Sequence, residues 1–223
     1  MSLAFTLIAI LTAFTAQTVG GQWQEGVQYE RVDPPRPTAV ANGKIEVLEF
    51  FGYWCPHCRS LEPELERWSQ GEPRDVVLVR IPVVWEQPVT RGYARLFYTL
   101  RALGRLDLQG AVYDSIDRGV RTGRGRLTTF EQQREFAVAE GIAASRFERV
   151  YGSDQVSAAV ERAETLERAY AIERTPTLIV QGTYRTDRTR FPADDELFGL
   201  LDSLIGFERA ALRARISGAS SRP

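Results

Sequence analysis

The sequence predicts an α/β protein whose strands enclose an all-helical insert. Three observations predict it. Apolar runs of strand length occur at Ile45–Phe51 and Val76–Val84, the span from Thr90 to Ile172 changes to helical periodicity, and strand character returns at Thr177–Val180.

Taken in chain order, Leu3 to Phe14 form an apolar stretch too short to span a bilayer and the right size for the core of a secretory signal. Small residues at Thr18, Gly20 and Gly21 suit cleavage near Gly20 or Gly21, with Ala16 as an alternative. We therefore expect residues 1–21 to be a signal peptide and the mature protein to be exported and soluble. No Lys or Arg precedes the apolar run, which fits a true start upstream of this Met. Val27–Val32 is expected as a first strand, and Pro34-Pro35-Arg36-Pro37 as a stiff link to the central strand at Ile45–Phe51. A helix then follows to about Gln70 and breaks at Gly71-Glu72-Pro73. The near-continuous apolar character of Val76–Val84 suits a parallel sheet covered on both faces.

Within the insert, Tyr93, Leu96, Phe97 and Leu100 mark a helix ending at Gly104, and Leu108, Val112 and Ile116 a second ending near Gly119. Thr129-Phe130-Glu131-Gln132 and Ser145-Arg146-Phe147-Glu148 both have capping-box spacing and should open two more. Val156, Ala159, Val160, Ala163, Leu166 and Tyr170 stripe a fifth. Such stripes are core faces. After Thr177–Val180 the chain turns at Gln181-Gly182 and pairs back through Thr183-Tyr184, and Leu197, Leu200, Leu201, Leu204 and Ile205 mark a closing helix. The tail beyond Arg209 loses its stripe and is expected to fray. The expected organisation is thus 22–89 and 171–209 as two parts of one α/β domain, 90–170 as the helical insert, and 210–223 as a flexible tail.

The chain has 223 residues and a formal net charge of −1, enough length for one core and no electrostatic case for nucleic acid or an anionic membrane surface. Chemistry concentrates at one place. Cys55-Pro56-His57-Cys58 holds both cysteines and the only histidine, directly after Val47-Leu48-Glu49-Phe50-Phe51. If a strand runs here into a helix N-terminus, unpaired N–H groups and the helix dipole favour a thiolate at Cys55, and Cys58 one turn later can close a disulfide with it. Half a zinc site is the bland alternative, but tetrahedral zinc needs about four ligands and no other Cys or His is present, which leaves only a zinc shared between chains. A purely structural disulfide is weak too, because closing so short a loop removes little chain entropy. Two cysteines in an exported chain fit an oxidising compartment. Glu49 is the odd residue of its strand, and a carboxylate there needs a partner or a polar gap.

These pieces resemble the DsbA family of periplasmic thiol oxidases from about Gln22 to Arg209. The anchors are Gly21-Gln22-Trp23-Gln24-Glu25-Gly26 with Gln28-Tyr29, the run from Val47 into Cys55-Pro56-His57-Cys58, and Arg174-Thr175-Pro176-Thr177 before the last hairpin. The resemblance implies a thioredoxin fold with an inserted all-helical domain, Cys55 as the exposed nucleophile and Cys58 as the buried resolving thiol. It implies redox tuning by Pro56, His57, Glu49 and Arg80, the last as basic partner of Glu49 on the following strand. Substrate pairing would fall to Thr175 and a cis Pro176. Well-studied members carry an apolar residue where this chain has Thr175, whose hydroxyl could reach the buried sulfur. Implied partners are reduced exported proteins and a DsbB-like membrane quinone reductase, with no cofactor, metal or nucleic acid, the protein a monomer in the periplasm. A reductase or isomerase on the same fold, or a peptide-binding chaperone with an idle disulfide, are the alternatives.

Overall fold

The structure is a computed structural model that describes residues 18–19, 22–85, 87–123 and 126–219. The proposed signal core at Leu3–Phe14 and the cleavage positions at Gly20 and Gly21 lie outside them. In chain order the elements are β1 (Thr18–Val19), β2 (Trp23–Gln24), β3 (Glu30–Arg31), β4 (Ile45–Phe51), α1 (Pro56–Gly71), β5 (Val76–Pro82), α2 (Pro88–Ala102), α3 (Gln109–Thr122), α4 (Phe130–Ala139), α5 (Ala144–Tyr151), α6 (Asp154–Ala169), β6 (Thr177–Val180), β7 (Tyr184–Asp187) and α7 (Asp194–Ala219).

β3 to β7 make one sheet of order β3-β7-β6-β4-β5, in which only β4 and β5 are parallel. All seven residues of β4 are buried, which explains why it is apolar at five of seven positions rather than strictly alternating, with Glu46 and Glu49 the two buried carboxylates. The pleat divides them. Ile45 and Val47 join Leu61 and Leu65 of α1 and the Leu197, Leu200, Leu201, Leu204 and Ile205 stripe of α7, while Leu48 and Phe50 join the core formed with α2 and α6. Glu49, one step from Leu48, faces with Val47 toward α1.

Several expectations are corrected. Val27–Val32 yields only the two residues of β3, because Gly26 takes a left-handed φ of 83° in a turn closed by Gly26 N–H on Tyr29 O, leaving Val27 half exposed. β5 lies at the sheet edge, so Val76–Arg80 are half-buried rather than covered on both faces. Gly119 does not end its helix. It is buried in mid-helix, and Gly123, at φ 72°, supplies the left-handed stop. Thr129 caps α4 by accepting from Gln132 N–H at 3.3 Å, but Ser145 caps nothing: α5 starts at Ala144, and the next side-chain cap is Ser153, accepting from Val156 N–H at 3.3 Å. The chain beyond Arg209 is helical as far as Ala219.

Candidate active site

Where β4 ends, Gly52-Tyr53-Trp54 turn the chain so that Cys55 becomes the N-cap of α1 and Pro56 its first helical residue. Each choice has a local cause. A Cβ on Gly52 would stand 2.7 Å from the Trp54 ring, so the turn needs glycine, and Cys55 N–H closes it onto Gly52 O at 3.0 Å. Pro56 lacks an N–H where a helix has no acceptor for one, and its fixed φ suits the first turn. Cys55 Sγ then takes the capping role of an oxygen, accepting Cys58 N–H at 3.4 Å.

The two thiols are displaced in opposite directions. The Cys58 thiol, donating to Cys55, lowers the Cys55 pKa to about 5 against the cost of burial, with help from the Thr175 side chain and the backbone N–H groups of Cys58 and His57. Burial pushes Cys58 far up, and the bond it gives to Cys55 pushes it further. Cys55 retains 8% of its surface and Cys58 none, so the expected exposed nucleophile is a largely covered residue. As a thiol, Cys55 donates to Thr175 O at 3.3 Å, and the Thr175–Pro176 bond is cis. The Thr175 backbone therefore meets Cys55, whereas sequence reasoning set its hydroxyl against the buried sulfur. His57 lies exposed on the first turn of α1 and reaches the sulfur through its backbone N–H.

Beneath the helix, Glu49 is fully buried and in register with Arg80 of β5, whose Nε lies 3.4 Å from Glu49 Oε2. Burial, together with the charge of Glu62, raises the Glu49 pKa to about 8 despite the Arg80 charge. Arg80 also meets Glu62 at 3.1 Å and Glu66 at 2.8 Å, so one cation serves three carboxylates. Sequence reasoning missed Glu62. The signal was available: it stands four residues after Cys58, on the same face of α1.

This arrangement can hold a stable thiolate at Cys55 and keep Cys58 protonated. Comparison with known proteins points the same way. The family model described as Thioredoxin matches residues 37–94. The chain is 39% identical to the thiol:disulfide interchange protein DsbA of Bordetella parapertussis over 184 residues, covering 82% of this chain and 84% of that one. It is 31% identical to the Pseudomonas aeruginosa protein of the same name over 208 residues, covering 93% and 96%. The crystal structure of P. aeruginosa DsbA superposes with a TM-score of 0.76 at 32% identity, over 84% of this chain and 95% of that one. The oxidoreductase NmDsbA1 of Neisseria meningitidis gives 0.75 at 26% identity, over 88% and 100%.

Proposed function

This chain belongs to the DsbA family of thiol:disulfide interchange proteins and is a protein disulfide oxidoreductase of thioredoxin fold, and we propose that Cys55 is the sulfur its clients attack and Cys58 the resolving thiol. A client thiolate attacks Cys55 Sγ of the oxidised pair, the Cys55–Cys58 bond breaks, and Cys58 leaves and takes up a proton. A second client thiolate then attacks the client sulfur of the mixed disulfide and releases Cys55 as a thiolate. The client is oxidised and the enzyme reduced by two electrons.

The observation that carries this reading is the opposite displacement of the two thiols. A pKa of about 5 makes Cys55 a good leaving group in the second step and stabilises the reduced enzyme. Against an ordinary thiol near 8.5, that stabilisation at neutral pH is on the order of 3 kcal/mol, or roughly 60 mV for the two-electron couple. The enzyme is therefore driven to give its disulfide away. Pro56, His57, Glu49 and Arg80 tune the pair, and Thr175 with Pro176 receives the client chain. Clients are reduced exported proteins met in the periplasm after signal removal, a DsbB-like membrane quinone reductase restores the disulfide, and the protein works as a monomer; the family resemblance supports each of these.

Two measurements test the roles. Titration of thiolate absorbance in the reduced protein should show an inflection near pH 5, and one near that of a free thiol would remove the oxidase reading. Cys58→Ser should accumulate mixed disulfides with exported proteins on non-reducing gels, because the intermediate loses its intramolecular escape. Stronger adducts with Cys55→Ser would reverse the assignment.

A further inference from the structure

A cavity of about 620 Å³ opens between the sheet and helices α2 and α6 of the insert. We propose that it binds a free medium-chain fatty acid, with the carboxylate at Arg101 and Arg162 and the alkyl chain laid along α6. Neither cysteine lines the cavity, so this binding is separate from the disulfide chemistry.

The cavity exists because short side chains meet the sheet edge. Ala102 of α2 and Ala159 and Ala163 of α6 line it together with Leu48 of β4 and Val79 of β5. Larger residues at those alanines would fill the space. The stripe from Val156 to Tyr170 reads on sequence alone as a core face, yet part of it borders this opening, and Leu166 and Val79 stay only half-buried there. A concave, mainly apolar space of this volume with a few polar groups is the usual form of a small-molecule site.

Charge and length select the occupant. Arg101 and Arg162 line the cavity, and neither guanidinium has a hydrogen-bond or ion-pair partner among the described residues. Burial raises the Tyr98 pKa to about 12 and both arginine charges act against that rise, which puts two cations near one hydroxyl. Guanidinium and hydroxyl groups are donors that a carboxylate accepts. The opposite sign lies farther along α6. Burial, and next the charge of Glu46, raise the Tyr170 pKa to about 12, so Glu46 belongs to the Tyr170 end, where its Oε2 already accepts Ala39 N–H at 3.0 Å. A carboxylate would be repelled there, so the ligand is held one way round. From Arg162 to Tyr170 the helix advances about 12 Å, which suits an extended chain of about ten carbons. Between the two ends, Ala163 and Leu166 of α6 and the paired Leu48 and Val79 of the sheet give that chain an apolar bed.

Titration calorimetry of the oxidised protein with decanoate should show saturable binding of one equivalent, weakening about fourfold for each methylene removed down to hexanoate. Decyltrimethylammonium, with the same chain and the opposite charge, should bind at least tenfold more weakly. Two variants act on the two parts of the site. Arg101→Glu combined with Arg162→Glu reverses the charge at the head, and Leu166→Trp fills the bed from α6. Each should weaken decanoate binding by roughly tenfold or more. Dithiol oxidation by each variant reports that it is folded, since none of these residues belongs to the cysteine site. No saturable binding of decanoate, equal affinity for the cationic amphiphile, or wild-type affinity in either variant would overturn the proposal and leave the oxidase reading intact. So would a dimer, seen by sedimentation, that the charge reversal splits, because a second copy would then cover the cavity.

Discussion

At the scale of single residues, the Cys55 sulfur owes its lowered pKa to donors that converge on one atom. Three of them come from the Cys-Pro-His-Cys turn itself and one from Thr175, 120 residues away in the chain. That last donor is the adjustable one. Thr175→Val keeps the shape and removes the hydroxyl, so the Cys55 pKa should rise and the enzyme should become less oxidising. A hydrogen bond to a charged group is worth about 1.5–3 kcal/mol, which corresponds to roughly 30–65 mV. Glutathione titration of both proteins reads that difference. An unchanged or more oxidising potential would show that the hydroxyl does not serve the thiolate. The motif's place was legible because both cysteines sit between an apolar run and a helix signal, but the sulfur served by Thr175 was not. Which thiol a side chain reaches depends on how β6 is laid against α1, and no local pattern carries that.

At the scale of elements, turns and caps explain both the successes and the misses. β4 spans Ile45–Phe51 as its apolar run implied, since a strand buried on both faces has no register in which a polar residue is cheap. Glu46 and Glu49 are the exceptions: Glu46 accepts Ala39 N–H at 3.0 Å, and Glu49 stands in register with Arg80. Capping-box spacing succeeded at Thr129 and failed at Ser145, where α5 begins one residue too early for the serine to serve. Glycine as a stop signal failed at Gly119, which is buried within α3. The hairpin turn is the sharpest case of a required glycine. Gly182 has φ 64°, and a Cβ there would lie 2.1 Å from Arg36 O, while Arg36 N–H is bonded to Gly182 O at 2.9 Å. Gly182→Ala should therefore destabilise the protein by at least about 1–3 kcal/mol, from backbone strain alone, as read by urea denaturation. Stability within a few tenths of a kcal/mol of wild type would mean that the segment around Arg36 gives way freely.

At the scale of the whole molecule, stability and pH are linked through the buried carboxylate under the active site. The folded pKa of Glu49, about 8, exceeds that of an unfolded glutamate, so the folded protein binds a proton that the unfolded chain has released. Its contribution is fully present below pH 4.5 and is lost as pH rises to about 8, at no more than about 1.4 kcal/mol per pH unit. Glu49→Gln removes the linkage and leaves Arg80 paired with Glu62 and Glu66. Urea denaturation of the disulfide forms, in which Cys55 does not titrate, should show the variant gaining on wild type between pH 5 and pH 8. Parallel pH profiles would mean that Glu49 is ionised throughout. The α/β class, the helices between β5 and β6, and the place of the Cys-Pro-His-Cys turn were readable from sequence, because periodicity, caps and motif spacing are local and survive in a linear string, while the thioredoxin fold entered through the family resemblance. Tertiary structure alone decided that Thr175 meets Cys55, that Glu62 shares Arg80 with Glu49, and that α2 and α6 leave a cavity against the sheet. Each of these is a distance between residues remote in sequence, fixed only when the two faces of β4 are packed at once.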